Sequence, residues 1–201
     1  MPNTFQGFFM VRIAIMASGS GSNAEAIMQY FQNHNRIQVA LLVTSNPKAF
    51  VIERAVKAGI PIIVIGKSIY DDGEKLNDLL RRFDIEYVIL AGYLKAIPAP
   101  TIQSFPHRIL NIHPSLLPHF GGKGMFGIHV HEAVVQARAT QSGITIHFVT
   151  EEYDEGPIIF QQSIAVNPEW DAPTLQQAIL PLEHFHYPRV IEEVINYSAC
   201  K

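Results

Sequence analysis

The chain has 201 residues, 48% hydrophobic and 16% charged, enough apolar material for one domain with a real core and too much for a disordered chain. Fifteen Lys and Arg against 18 Asp and Glu leave a net charge of −3, so no broad basic surface points to nucleic acid or an anionic membrane. Apolar runs such as residues 87–91 are too short to cross a bilayer, and the single cysteine, Cys200, excludes an intrachain disulfide or multi-cysteine metal site and fits a reducing, cytoplasmic location.

Residues 1–10 read as an N-terminal tail, because no basic stretch precedes the apolar run at 8–17 and Arg12 interrupts it; residues 11–201 read as a single domain. The pattern then alternates short β-branched runs with longer amphipathic ones. It predicts a strand over 12–17, a helix over 23–33, a strand over 37–44, a helix over 47–58 and a strand over 61–65. A helix over 72–83, a strand over 87–91 and a strand over 108–113 follow. Next come a Gly- and Pro-rich loop at 114–127, long enough to suggest function, and a helix over 129–137. Runs at 144–150 and 158–166 suit a hairpin across an acidic turn, and a helix over 174–198 contains Pro181 and Pro188, where a kink or break is expected. The expected fold is α/β, a Rossmann-like, mostly parallel sheet with helices on both faces and a C-terminal hairpin and helix.

Between the first strand and first helix lies Ser18-Gly19-Ser20-Gly21-Ser22-Asn23. Glycines there permit a tight turn, and the first helical N–H groups can face an anion. Gly19, Gly21 and Ala24 also match a dinucleotide fingerprint, but the second strand ends Val43-Thr44-Ser45-Asn46 without the acidic residue that would hold a ribose. A phosphate site and a simple turn capped by Ser22 or Asn23 remain equal readings of this stretch.

Asn111 and His113 occupy alternate positions at the end of an apolar strand, so they share a face, and Pro114 stops the strand. In open α/β sheets that end faces the ligand crevice. An amide N–H beside an imidazole suits an oxyanion and a proton transfer, and no nucleophile accompanies the pair. The alternative is a buried, satisfied histidine with a loop-bonding asparagine. His129 and His131 lack metal-ligand spacing and read as surface or substrate-loop histidines. Asp154 reads as one acid in a solvated turn, and the segment around Glu183 and His184 as polar helix.

Taken together, the 18–23 turn, Leu90-Ala91-Gly92-Tyr93-Leu94, Asn111-Ile112-His113-Pro114-Ser115-Leu116-Leu117-Pro118, His147-Phe148-Val149-Thr150 and Asp154-Glu155-Gly156-Pro157 resemble the phosphoribosylglycinamide formyltransferases, folate-dependent enzymes without a metal. The resemblance runs from about Arg12 to the last helix. It implies formyl transfer from 10-formyltetrahydrofolate, a co-substrate, to the amine of 5′-phosphoribosylglycinamide in purine synthesis. It implies that Asn111 and His113 stabilise the oxyanion while Asp154 keeps His113 charged and helps remove the amine proton. It further implies phosphate binding by Gly21, Ser22 and Asn23, and contact of Glu183 with the ribose or amine region. The pteridine would lie between Leu94, Lys95, Ala96 and Ile97 on one side and Thr150, Glu151, Glu152, Tyr153 and Asp154 on the other, with Thr145 and His147 lining the site. Implied partners are small molecules, with no nucleic acid or membrane, for a monomer or homodimer.

The sequence departs from the family at a longer loop over 119–127, at Glu155 where Gly is frequent, and at Lys95 where Arg is often found. Methionyl-tRNA formyltransferase shares the Asn-x-His-Pro core but adds a basic domain. A formyltetrahydrofolate hydrolase and a non-catalytic phosphate- or nucleotide-binding module are the alternatives to transfer.

Overall fold

The computed structural model describes residues 10–198; the expected tail, Met10 apart, and Cys200 lie outside the described residues. The seven strands are β1 (Val11–Met16), β2 (Ile37–Thr44), β3 (Ile62–Val64), β4 (Tyr87–Leu90), β5 (Ile109–His113), β6 (Gln141–Phe148) and β7 (Ile158–Ala165). Helices are α1 (Ser22–Phe31), α2 (Val51–Ala58), α3 (Lys67–Tyr70), α4 (Gly73–Arg82), α5 (Ala99–Ser104), α6 (Ile128–Gln136) and α7 (Ala172–Ser198).

The strands form one sheet in the order β3-β2-β1-β4-β5-β6-β7. β1 to β5 pair in parallel, while β6 and β7 are antiparallel additions on the β5 edge. The chain winds outward from β1 through β2 to β3, then returns to the other side of β1 with β4. That reversal leaves a crevice above the carboxyl ends of β1 and β4, where the two halves of a doubly wound sheet part.

Two cores cover the sheet, and β1 feeds both. Ile13 and Ile15 join α1, α2 and α7 on one face, while Ala14 and Met16 pack with Leu76 and Leu80 of α4 on the other. This is the period-2 alternation of a strand buried on both sides. Helix ends follow local chemistry. The Asp72 carboxylate accepts the Lys75 amide at the start of α4, and Gly59 closes α2 at φ 69.

Helix α7 runs without interruption as one 27-residue helix that contains Pro181 and Pro188, in place of a broken one. It is keyed into the sheet by Tyr187, wholly buried, whose hydroxyl lies 2.9 Å from the Leu90 carbonyl and 3.0 Å from that of Leu110. Helices α3 and α5 were not among the expected elements. Each is under two turns long, too short to show an apolar period. No helix among the described residues is long and apolar enough to cross a membrane.

Candidate active site

A cleft of about 450 Å³ opens at the carboxyl ends of β1, β4 and β5, a size suited to a small-molecule site. Its walls are the β1–α1 turn, the segment after β4, the ends of β5 and β6, the loops at 122–127 and 149–154, and one side of α7.

Alternation on β5 brings Asn111 and His113 to this wall, as the spacing predicted. Antiparallel pairing sets His147 of β6 opposite Asn111, and the His147 Nε2 lies 3.1 Å from the Asn111 amide nitrogen. The His147 Nδ1 is 2.9 Å from the Phe148 carbonyl, which can only accept, so Nδ1 carries the proton. In the neutral ring Nε2 is therefore an acceptor, and Asn111 donates to it. Asp154 enters between the two imidazoles, with Oδ2 3.5 Å from His113 Nδ1 and Oδ1 3.6 Å from His147 Nε2. The residue has φ 58, a left-handed conformation that turns its side chain into the cleft, and the Gly122 amide donates to Oδ2 at 2.9 Å. His113 donates from Nε2 to the Phe120 carbonyl at 2.8 Å.

Electrostatics at this end are a contest between burial and pairing. Burial of the ring, only partly opposed by Asp154 and the Phe120 carbonyl, pulls His113 below the ordinary imidazole value. The expectation that Asp154 keeps His113 charged is thereby corrected: the resting ring is neutral at neutral pH. Asp154 is itself pushed up by burial, but the two imidazoles beside it and the Gly122 amide outweigh this and hold it below the ordinary carboxylate value.

At the other end of the cleft, Gly21 stands at the start of α1 with φ 74, and no side chain caps the helix. The alternative in which Ser22 or Asn23 caps α1 is corrected accordingly. Among the described residues no protein acceptor meets the amides of Gly19, Ser20, Gly21, Ser22 or Asn23, all of which line the cleft. A row of unpartnered N–H groups at a helix start favours an anion. Beside it the Asn23 amide donates to Glu183 of α7 at 2.7 Å. Burial pushes the Glu183 carboxyl up to about 7, with Asn23 opposing.

Leu94, Lys95, Ala96 and Ile97 face Thr150, Glu151, Glu152 and Tyr153 across the mouth of the same cleft. Lys95 rests its ammonium over the Tyr70 ring, 5.3 Å from the centroid. Thr145 is corrected. It is fully buried behind the wall, where its hydroxyl donates to the Ser115 carbonyl at 2.6 Å and accepts from the Leu117 amide and Gln161. The resemblance implied that Thr145 lines the site with His147, but although its backbone pairs with that of His113 the side chain supports the turn after β5.

His131 is the main site residue that sequence reasoning misplaced. It is 2% exposed and lines the cleft, and burial lowers its imidazole to about 4. His129, one position removed from the buried side of α6, is exposed and meets Glu132 at 3.0 Å. Apolar neighbours of His131 on α6, Val130 and Val134, were the signal that this helix is buried on one side. Gln176, Ile179 and Leu180 of α7 also line the cleft. Among the described residues no group of three or more His, Cys, Asp or Glu side chains could hold a metal ion.

A doubly wound sheet whose crevice brings Asn111, His113, His147 and Asp154 together beside a row of open amides defines a class, and residues 11–191 match the family model described as formyl transferase. The chain belongs to the formyl transferase family. Within it, the chain is 37% identical to the phosphoribosylglycinamide formyltransferase of Bacillus subtilis, over 94% of this chain and 97% of that one. It is 42% identical to the chloroplastic phosphoribosylglycinamide formyltransferase of Arabidopsis thaliana, over 90% of this chain and 64% of that protein. The chain thus spans less than two thirds of the length of its plant relatives, 64% and 60% in two of them. The crystal structure of glycinamide ribonucleotide transformylase 1 from Symbiobacterium toebii superposes with a TM-score of 0.83 at 34% identity, covering 95% of this chain and 90% of that one.

Proposed function

We propose that the protein transfers a formyl group from 10-formyltetrahydrofolate to the amine of 5′-phosphoribosylglycinamide, a step of purine synthesis. The observation that carries this reading is the placement of Asn111, His113 and Asp154 in the same cleft as the open amides of the β1–α1 turn. One end is equipped for a carbonyl oxygen and a proton, the other for a phosphate.

The amine nitrogen adds to the formyl carbon, and the oxygen takes up negative charge. Asn111 donates to that oxygen with the N–H not engaged by His147, and His113 with its Nε2–H, which the oxygen takes over from the Phe120 carbonyl. The bond from the formyl carbon to the folate nitrogen then breaks, while the amine's proton passes to that nitrogen. His113, neutral at rest, accepts the proton in transit, and Asp154 at 3.5 Å stabilises the imidazolium as it forms. Gly21, Ser22 and Asn23 hold the substrate phosphate, and Glu183 the ribose or amine region. The folate lies between the 94–97 and 150–154 segments, the first of which offers an exposed Leu94 and the Lys95 ammonium. No metal takes part. One cysteine in 201 residues supports a reducing compartment such as the cytoplasm.

The test is the absorbance change of 10-formyltetrahydrofolate with and without phosphoribosylglycinamide. Deformylation that requires the amine is expected. Deformylation that proceeds equally without it makes the protein a hydrolase and overturns transfer; none under either condition overturns both.

A further inference from the structure

The open amides of the β1–α1 turn face the cleft because their carbonyl partners are held from behind. In a trans peptide the C=O of one residue and the N–H of the next point in opposite directions, so fixing a carbonyl aims the following amide. Three successive peptide units of the turn are fixed in this way. The Ser18 carbonyl accepts from the Asn46 amide side chain at 3.2 Å, which aims the Gly19 N–H. The Gly19 carbonyl accepts from the Val51 backbone amide at 3.2 Å, which aims that of Ser20. The Ser20 carbonyl accepts from Arg54 Nε at 2.9 Å, which aims that of Gly21.

The three donors come from α2 and the turn leading into it, and none of them lines the cleft. Arg54 does more than the other two. Its guanidinium also pairs with Glu25 in the first turn of α1 and lies 5.0 Å from the centroid of the Phe50 ring, so the fork is fixed on three sides. Close packing allows little slack. A Cβ on Gly21 would come within 2.3 Å of Val51 Cγ2, so α2 presses directly on the turn.

The geometry points to Arg54 as a positioning residue for the phosphate subsite. It touches no substrate, and it acts through the Ser20–Gly21 peptide, whose N–H it directs at the phosphate. This rests on the phosphate assignment made under the proposed function, and it adds a specificity that the lining residues alone do not supply. Lys95, among the described residues the only Lys or Arg on the cleft wall, belongs to the folate side, so the anion is recognised by aimed amides with the Arg54 charge behind them.

The experiment compares wild type with Arg54→Ala and Asn46→Ala, using phosphoribosylglycinamide and the same amine without its phosphate. Arg54→Ala is expected to raise KM for the phosphorylated amine about tenfold while kcat changes less than about threefold and KM for the folate stays within about twofold. KM for the dephosphorylated amine is expected to stay at the wild-type value. A purely structural role moves both amines together, and that result, or an unchanged KM for the phosphorylated one, overturns the proposal.

A titration with inorganic phosphate, read by NMR at the amides of Gly19, Ser20 and Gly21, separates this proposal from the catalytic one. Wild type is expected to show saturable shifts that need roughly tenfold more phosphate in Arg54→Ala. If wild type transfers no formyl group but shows this difference, only the catalytic reading fails. If wild type transfers formyl but its amides ignore phosphate, the positioning role fails. Should Arg54→Ala not fold, Asn46→Ala removes an equivalent anchor and must show the same phosphate-selective loss.

Discussion

Two carboxyl groups in one cleft, Asp154 half-buried and Glu183 buried, are tuned in opposite directions by their neighbours. Asp154 has two imidazoles and a backbone amide around it and stays ionised, whereas Glu183 has one neutral donor and is raised to about 7. Because the folded value of Glu183 lies above its unfolded 4.5, its stabilising contribution is complete below pH 4.5 and is lost as pH rises through about 7. Glu183→Gln keeps a partner for Asn23 without the charge. It is expected to be more stable than wild type at pH 8, by about 2–3 kcal/mol, and to match it near pH 4, as read by denaturant unfolding. Asp154→Asn is expected to fold normally and to lose on the order of 100- to 1000-fold in kcat, because the imidazolium then forms without a counter-charge; steady-state kinetics and a thermal melt check both halves. The positions of Asn111 and His113 were legible because a strand obliges alternate residues to share a face. Thr145 obeys the same rule on β6, yet its short hydroxyl is captured by the Ser115 carbonyl, a competitor that periodicity does not reveal. The neutral state of His113 was likewise hidden, since depth of burial decides it and local sequence records only the partner.

Among the elements, the 149–157 loop carries the greatest demand, because it must place Asp154 between two strands' worth of imidazoles. Gly156 makes that path possible: a Cβ there would stand 1.7 Å from the Phe148 carbonyl oxygen. Gly156→Ala is expected to destabilise the protein by about 3 kcal/mol and to displace Asp154, so that kcat falls along with the melting temperature. Added kinetic loss beyond the stability loss is the signature to seek, in activity measured well below the melting temperature. Long elements were readable from the sequence, since β2 is apolar at six of its eight positions and α4 begins with a capping aspartate. Helices α3 and α5 were not, for a piece shorter than two turns carries no period and owes its shape to what surrounds it. The unbroken course of α7 through Pro181 and Pro188 has the same origin. Packing of Leu175, Ile179, Tyr187 and Ile191 in the core holds the helix together across both prolines.

The molecule as a whole is built to lose stability in acid. Burial lowers His131 to about 4 and also lowers His113 and His184, so the unfolded chain binds protons first as pH falls below 6.5. Stability therefore declines from about pH 6.5 toward 4, and the depressed Asp154 adds its loss as pH falls through its folded value. His131→Leu is expected to remove the largest imidazole part of that slope, an upper limit of about 3 kcal/mol between pH 7 and 4, measured by denaturant unfolding across that range. Such an experiment also separates this acid limb from the opposing trend of Glu183. The bond between Asn23 and Glu183 joins positions 160 apart in the chain, and Tyr187 binds carbonyls of β4 and β5 that lie 97 and 77 positions before it. During translation the crevice therefore gains its second wall only when α7 leaves the ribosome. Until then the apolar face that α7 will cover, including Ile13, Ile15 and Leu110, has no lid. Among the described residues, α7 is thus the last element in chain order, and it completes both the core and the crevice wall.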